Sequence, residues 1–313
     1  MSNIAVTVLL ATRNGEHVLP RVLAGYRRAI APATGWSMVI VDNGSTDATA
    51  RIIEGARADL PLDILDQAVA GKNRALNTGI EAVSGQLVVI VDDDAIPRPT
   101  FLTAWAKFLE SNLDCELFGG TIAPLFEAAP PDWMLKGDLP SMLFAERKLP
   151  EGPTAWDAVY GPNMAVRKSV FDSGLRFDEN IGPNATDDDY PSGGESEFCR
   201  RSAQRGARCW FAKEPVVQHI IRPAQLTTAV FIKRAYRTGR ARAYIMWKDG
   251  KLGTANAARP GIWQQFWQDC RSRLKMPCPW SQDKVESLRA YHVARGFRDE
   301  CVKRGLHPFT RVG

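Results

Sequence analysis

Six cysteines are spread over 313 residues, and no two of them stand in a Cys-x-x-Cys spacing. So sparse a set excludes a disulfide-stapled secreted scaffold and fits a reducing cytosol. Long apolar runs are missing too. Residues 4–11 (IAVTVLLA) have no basic flank and end at Thr12-Arg13-Asn14, which suits a buried strand rather than a signal peptide. No later run is long and apolar enough to span a bilayer. Internal repeats and low-complexity segments are absent as well. With 45% hydrophobic and 24% charged residues, the chain can bury a large core, which excludes wholesale disorder.

The length exceeds the usual single-domain size, and a nucleotide-binding α/β domain with a C-terminal appendage accounts for it. Charge divides the chain unevenly. From Ile221 to Gly313 there are 19 Lys/Arg against 6 Asp/Glu, a net +13; the total of +5 therefore leaves −8 for the part before it. An acidic region that gathers carboxylates suits a metal ion. A basic tail suits phosphates, anionic lipid or only a solvated face.

Short apolar runs alternate with helical patterns over the first hundred residues. VTVLL (6–10) is followed by a helix near 16–30, SMVIVD (37–42) by a helix from Asp47, residues 62–65 by a helix over 72–83, and QLVVIV (86–91) closes the series. Strands alternating with helices predict a mostly parallel sheet. Asn43-Gly44 makes the bend after the second strand, and Ser45, Thr46 or Asp47 can cap the helix beyond it. In open α/β sheets ligands bind beyond the carboxyl ends of the strands, which is where Asp42 and Asp92 fall. PLFEAAPPDW (124–133) predicts a crossing loop. From Ala229 onward the pattern is helical and basic, with further helices over 262–274 and 284–304.

Residues 91–97 read VDDDAIP. Three successive carboxylates at a buried strand end repel one another unless a cation neutralises them, and oxygen ligands suit Mg²⁺ or Mn²⁺. A solvated turn or a helix cap is the plainer alternative for a lone motif of this kind. The order of the surrounding motifs weighs against it. VTVLLATRN, VDNGSTD, GKNRALNTGI (71–80), VDDDAIP, GPNMAVRKSVF (161–171), GGESEFCRR (193–201) and VVQH (216–219) follow one another in a sequence that resembles the family 2 glycosyltransferases of GT-A type, over roughly residues 4–245.

The resemblance implies a GT-A fold, a Rossmann-like and mostly parallel sheet flanked by helices, with a C-terminal helical extension. It places a catalytic domain at 1–225, with a nucleotide-sugar half to about residue 95 and an acceptor half from 96, and a basic extension at 226–313. It implies an inverting hexosyltransferase that uses a nucleoside diphosphate sugar, UDP-sugars favoured, and Mn²⁺ or Mg²⁺. Thr12, Arg13, Asn14 and Asp42 are expected on the nucleotide, although Arg13 stands where the family often has an aromatic. Lys72, Arg74, Asp92 and Asp93 are expected on the nucleotide and diphosphate side, and Asp94 and His219 on the metal.

Glu195 is the candidate base. The family's usual Glu-Asp pair is replaced by Gly194-Glu195, with Glu197 as the fallback; Asn163, Glu197 and Trp133 are expected near sugar or acceptor. The acidic run Asp187-Asp188-Asp189 sits in a Gly/Pro/Asn-rich loop that reads as a mobile lid. The acceptor expected from the resemblance is a saccharide or lipid-linked saccharide of a bacterial surface or exported polysaccharide. The protein would then be cytoplasmic or peripheral at the cytoplasmic face of the inner membrane. Two other readings compete. A catalytically silent sugar-nucleotide-binding or scaffold protein is suggested by the substituted base motif, and the intact triple Asp argues against it. A sugar nucleotidyltransferase would want a Gly-rich basic loop after the first strand, where ATRNGEH offers one Gly and one Arg. Nucleic-acid binding lacks any recognition motif in the basic tail.

Overall fold

A computed structural model describes residues 5–111, 114–184, 187–252 and 282–306. The helix expected over 262–274, and Cys270 and Cys278, lie outside these residues. The chain divides into two compact units. One comprises residues 1–127, 144–180 and 194–221, the other residues 128–143, 181–193 and 222–313.

The first unit is an α/β sheet layered between helices. Strands β1 (Val6–Thr12), β2 (Trp36–Asp42), β3 (Leu62–Asp66) and β4 (Leu87–Asp92) are joined through helices α1 (Leu19–Arg27), α2 (Thr49–Ala56) and α3 (Lys72–Ile80) and pair in parallel in the order β3-β2-β1-β4. Past β4 the chain forms β5 (Ala95–Pro97), α4 (Phe101–Ser111), β6 (Leu117–Phe126), α5 (Leu139–Phe144), β7 (Gly152–Thr154), β8 (Met164–Arg167), α6 (Lys168–Asp172), α7 (Gly194–Gln204) and β9 (Cys209–Ile221), of which α5 up to Leu143 belongs to the second unit. The sheet continues as β8-β6-β9-β5, with β7 also on β9, and here the strands are mixed in direction.

The period of two along each strand produces the layers. On β1, Val6, Val8 and Leu10 face a cluster with Leu19, Val22 and Tyr26 of α1 and Phe101 and Trp105 of α4. Leu9 faces the opposite cluster with Ala75, Leu76 and Ile80 of α3 and Phe198 of α7. Strands covered on both faces read as continuous apolar runs, as VTVLL and LVVIV do. Each fully buried Leu or Phe contributes about 1.5–3 kcal/mol, so the two clusters hold the strand ends firmly in register.

The 124–133 stretch is not wholly a loop. Pro124, Leu125 and Phe126 complete β6 opposite His219, Ile220 and Ile221 of β9, and a 3₁₀ turn follows at Asp132–Leu135. Proline is accommodated because β8 pairs only with Leu117–Gly119, so the far end of β6 needs ladder donors on one side only.

The second unit is built on α8 (Thr228–Lys248) and α9 (Gln282–Lys303). The two helices touch backbone to backbone where glycines meet. A Cβ on Gly239 would lie 1.9 Å from the Val293 carbonyl, and one on Gly296 would lie 2.0 Å from that of Tyr236. Among the described residues, many basic side chains of α8 and α9 are spoken for. Arg240, 5% exposed, holds Glu300 at 2.8 Å and Asp187 at 2.8 Å, while Arg304 also holds Glu300. Lys233 pairs with Asp188 at 2.6 Å, Lys303 with Asp187 at 3.2 Å and Arg289 with Asp138 at 2.7 Å. Within the acidic run read as a mobile lid, the carboxylates of Asp187 and Asp188 thus meet cations of α8 and α9.

Candidate active site

Parallel register levels the strand ends. Thr12 pairs with Asp42 and Ala11 with Asp92, so β1, β2 and β4 deliver three polar side chains to one edge of the sheet. The loops beyond are stitched together by short side chains. Asn14, with φ of 54°, adopts the left-handed conformation that Asn tolerates; its Oδ1 accepts the Thr46 N–H at 2.8 Å. Thr49 Oγ1 accepts the Gly15 N–H at 2.8 Å, and Asp42 accepts the Ser45 N–H at 2.9 Å. Asn43 clamps the next loop, donating to the carbonyls of Gln67 and Val69 and accepting the Gly71 N–H at 2.7 Å. That clamp fixes where α3 begins, and Lys72 is its first residue.

Lys72 joins two carboxylates. Its Nζ lies 2.6 Å from Asp92 Oδ1 and 2.5 Å from Glu195 Oε1, with the three side chains 21%, 22% and 17% exposed. Burial works against charge on Lys72, but the two carboxylates outweigh it and keep the ammonium protonated. Burial would also push Glu195 up; the Lys72 ammonium outweighs that and holds Glu195 below the usual carboxylate range. Burial pushes Asp92 up, Lys72 pulls it down, and the charges of Glu195 and Asp94 leave the balance upward. Glu195 sits at the start of α7 against Gly161, where a Cβ would lie 2.5 Å from its Oε1.

The other two aspartates have separate partners. Thr12 Oγ1 donates to Asp93 Oδ2 at 2.6 Å, and burial together with the Asp94 charge still pushes Asp93 up to about 6. Antiparallel pairing of β5 with β9 sets Ala95 opposite His219, which brings His219 Nε2 to 3.3 Å from Asp94 Oδ1. The ring's Nδ1 is 2.7 Å from the Phe144 carbonyl. Burial disfavours charge on the ring, yet Asp94 and the Phe144 carbonyl raise His219 above its ordinary value.

This pair fits a divalent ion. With Nδ1–H donated to a backbone carbonyl, Nε2 is aimed at the ligand position, an arrangement usual for metal-bound His. Among the described residues no cluster of three or more His, Cys, Asp or Glu forms a complete cage. One carboxylate plus substrate phosphates suffices for Mg²⁺-type sites.

Two expected residues, Asn163 and Glu197, serve elsewhere in the first unit. Asn163 is fully buried, its Nδ2 donating to the carbonyls of Thr121 and Pro215 at 3.0 and 2.9 Å, where it braces the irregularity between β6 and β9. Glu197 is fully buried in a two-pronged pair with Arg201 at 2.7 and 2.8 Å. Trp133 lies in the second unit, edge-on to Phe231 at 5.3 Å. Of the remaining residues, Arg74 pairs with Glu179 at 2.9 Å and Arg13 is exposed. Gly161 and the Phe144 carbonyl were not anticipated. Gly161 lies in the GPNMAVR motif, but the backbone contact from Phe144 leaves no mark on the sequence.

Residues 7–175 match the glycosyl transferase family 2 sequence family. The chain belongs to this family. Among relatives of this family 2 glycosyltransferase, glycosyltransferase AglE of Haloferax volcanii is 24% identical over 265 residues, covering 82% of this chain and 79% of AglE. Among solved structures, Staphylococcus aureus TarS 1–349 in complex with UDP superposes with a TM-score of 0.53 at 16% identity, over 99% of this chain and 94% of the other. The mannosyltransferase PcManGT of Pyrobaculum calidifontis, with GDP-Man and Mn²⁺, gives 0.56 at 15%, over 97% and 75%. At such identities the structural likeness speaks for the GT-A fold.

Proposed function

We propose that this glycosyltransferase transfers a sugar from a nucleoside diphosphate donor to an acceptor hydroxyl with inversion, using Glu195 as base and a divalent ion held by Asp94 and His219. The observation that carries the reading is the line Glu195–Lys72–Asp92 at the same sheet edge as the Asp94–His219 pair. Asp42, at the end of β2, suits the imino N–H of a uracil or thymine base, and UDP-sugars are the favoured donors. Glu195 takes the acceptor proton as that oxygen bonds to the anomeric carbon and the bond to the diphosphate breaks. The electron pair leaves with the diphosphate, whose growing charge the Lys72 ammonium is placed to meet. A bound Mn²⁺ or Mg²⁺ would supply further charge stabilisation on that leaving group.

For the acceptor we propose a saccharide of a surface or exported polysaccharide, lipid-linked and met at the cytoplasmic face of a membrane. No described helix is long and apolar enough to cross one. The cations of α8 and α9 are mostly paired, but residues 253–281 add four basic residues against one acidic. Flotation with anionic liposomes at low and high salt tests this part, and no flotation at low salt refutes it.

A thermal-shift screen of UDP, GDP, dTDP and CMP, with and without Mn²⁺, tests the donor, since a ligand of the native state raises its melting temperature. A Mn²⁺-dependent shift with one nucleoside diphosphate is expected. Glu195→Gln should keep that shift and lose transfer; normal transfer by this variant overturns the base assignment.

A further inference from the structure

Glu195 poses a chemical problem in its present company. A base must want the proton it is to take, and a carboxylate bonded to an ammonium wants it less. The Lys72 Nζ is 2.5 Å from Glu195 Oε1. The same nitrogen is 2.6 Å from Asp92 Oδ1, so one cation serves two carboxylates at the mouth of α3. That mouth is also where a phosphate would settle, because the N-terminus of a helix gathers unpaired N–H groups and the positive end of its dipole. A diphosphate carries more negative charge than either carboxylate and would compete for the ammonium directly.

We propose that Lys72 is a donor-operated gate on the base: it holds the Glu195 carboxylate until a diphosphate draws the ammonium away, so that acceptor activation waits for the donor. This rests on the transferase reading above and adds an order of events to it. Once the ammonium turns to the diphosphate, Glu195 is left largely buried beside Gly161 with a new anion near it. Both changes strengthen its hold on a proton. The acceptor hydroxyl then gives its proton to Glu195 as its oxygen bonds to the anomeric carbon, and the diphosphate departs with the electron pair toward Lys72. Without a donor the carboxylate stays paired, and a bound acceptor or water is not activated.

The titratable and charged groups facing Glu195 are few among the described residues. Lys72 comes from α3, Asp92 from β4, and Cys199 from one turn further along α7; burial raises that thiol well above its ordinary value, so it stays neutral. The carboxylate's titration therefore reports the whereabouts of Lys72.

The test is ¹³C NMR of the Glu carboxyls in the full-length protein, with Glu195 assigned by loss of its signal in Glu195→Gln. Titrations are run alone and with UDP, GDP or dTDP plus Mg²⁺, and ³¹P signals report binding. The gate requires the Glu195 midpoint to move upward when a diphosphate binds. In Lys72→Met it should already be raised in the free protein, and rise on binding by less than in the wild type, since only the new anion then acts on it. A bound diphosphate that leaves the wild-type midpoint in place overturns the gate while the transferase reading stands. If none of the three nucleotides binds, the transferase reading fails and takes the gate with it. Kinetics supply a second measurement that needs no variant: in the wild type the acid limb of kcat should lie at higher pH than that of kcat/KM for the donor. Coincident limbs also overturn the gate.

Discussion

Gly161→Ala should disable the proposed base, Glu195, without replacing it. An added Cβ would stand 2.5 Å from Glu195 Oε1, 2.8 Å from Cδ and 3.0 Å from Cγ, whereas ordinary contact begins at 3.4 Å. The carboxylate must therefore retreat by 0.9 Å, the difference between the two distances to its oxygen. Gly161 is not at positive φ, so alanine meets no left-handed strain there and the displaced Glu195 side chain carries the main cost. A misplacement of about 1 Å in a catalytic group costs about 10²-fold in rate, and that loss is expected in kcat. The assay is steady-state sugar transfer once the donor is known, alongside nucleotide thermal shift and an unfolding curve. Donor affinity and overall stability should stay near wild type. A variant that transfers at the wild-type rate would refute the argument, because either Glu195 is not the base or its position is not critical.

Asp94→Ala should abolish metal-dependent turnover. His219→Ala should raise the Mn²⁺ concentration for half-maximal activity by more than about tenfold, the low end of what losing even an orienting partner costs, as read by Mn²⁺ titration. Asn163→Ala should lower stability by about 1–3 kcal/mol in urea unfolding, since it deprives the buried Pro215 carbonyl and the part-buried Thr121 carbonyl of their donor; an unchanged midpoint would refute the bracing role. Asp187→Asn should lose about 2 kcal/mol at neutral pH by weakening its charge-assisted bond to Arg240. Burial opposes but does not overcome the Arg240 and Lys303 bonds that lower Asp187 from its ordinary 3.8, so its stabilisation is complete above that pH and fades as pH falls through the folded value. The gap in melting temperature between wild type and variant should accordingly close as pH falls through the folded value, and a constant gap would contradict the ion-pair account.

The parallel half of the sheet was legible because strands buried on both faces write their position as unbroken apolar runs. VTVLL and QLVVIV fall on β1 and β4, with β4 one residue later than read, and Asp42 and Asp92 stand at strand ends as the pattern required. The distribution of labour among neighbouring aspartates was not legible. Asp92, Asp93 and Asp94 are indistinguishable in sequence, yet one faces Lys72, one Thr12 and one His219, because partners from α3, β1 and β9 decide it. Asn163 and Glu197 lie in motifs that pointed to the site, but burial turned both into braces. The basic tail was legible only as a count: α8 and α9 spend many of their charges on Asp187, Asp188 and Glu300, a pairing that composition does not show.

His219 reaches Asp94 through the β5–β9 ladder, with about half of the first unit's sequence lying between the two residues. During synthesis, the nucleotide edge formed by β1, β2 and β4 could be complete while the histidine that faces Asp94 has yet to leave the ribosome. Tight ion binding would then appear only once β9 has zipped onto β5 and β6. A bound metal ion would thus act as a latch on the last strand to arrive, and stripping it should loosen that end of the sheet first.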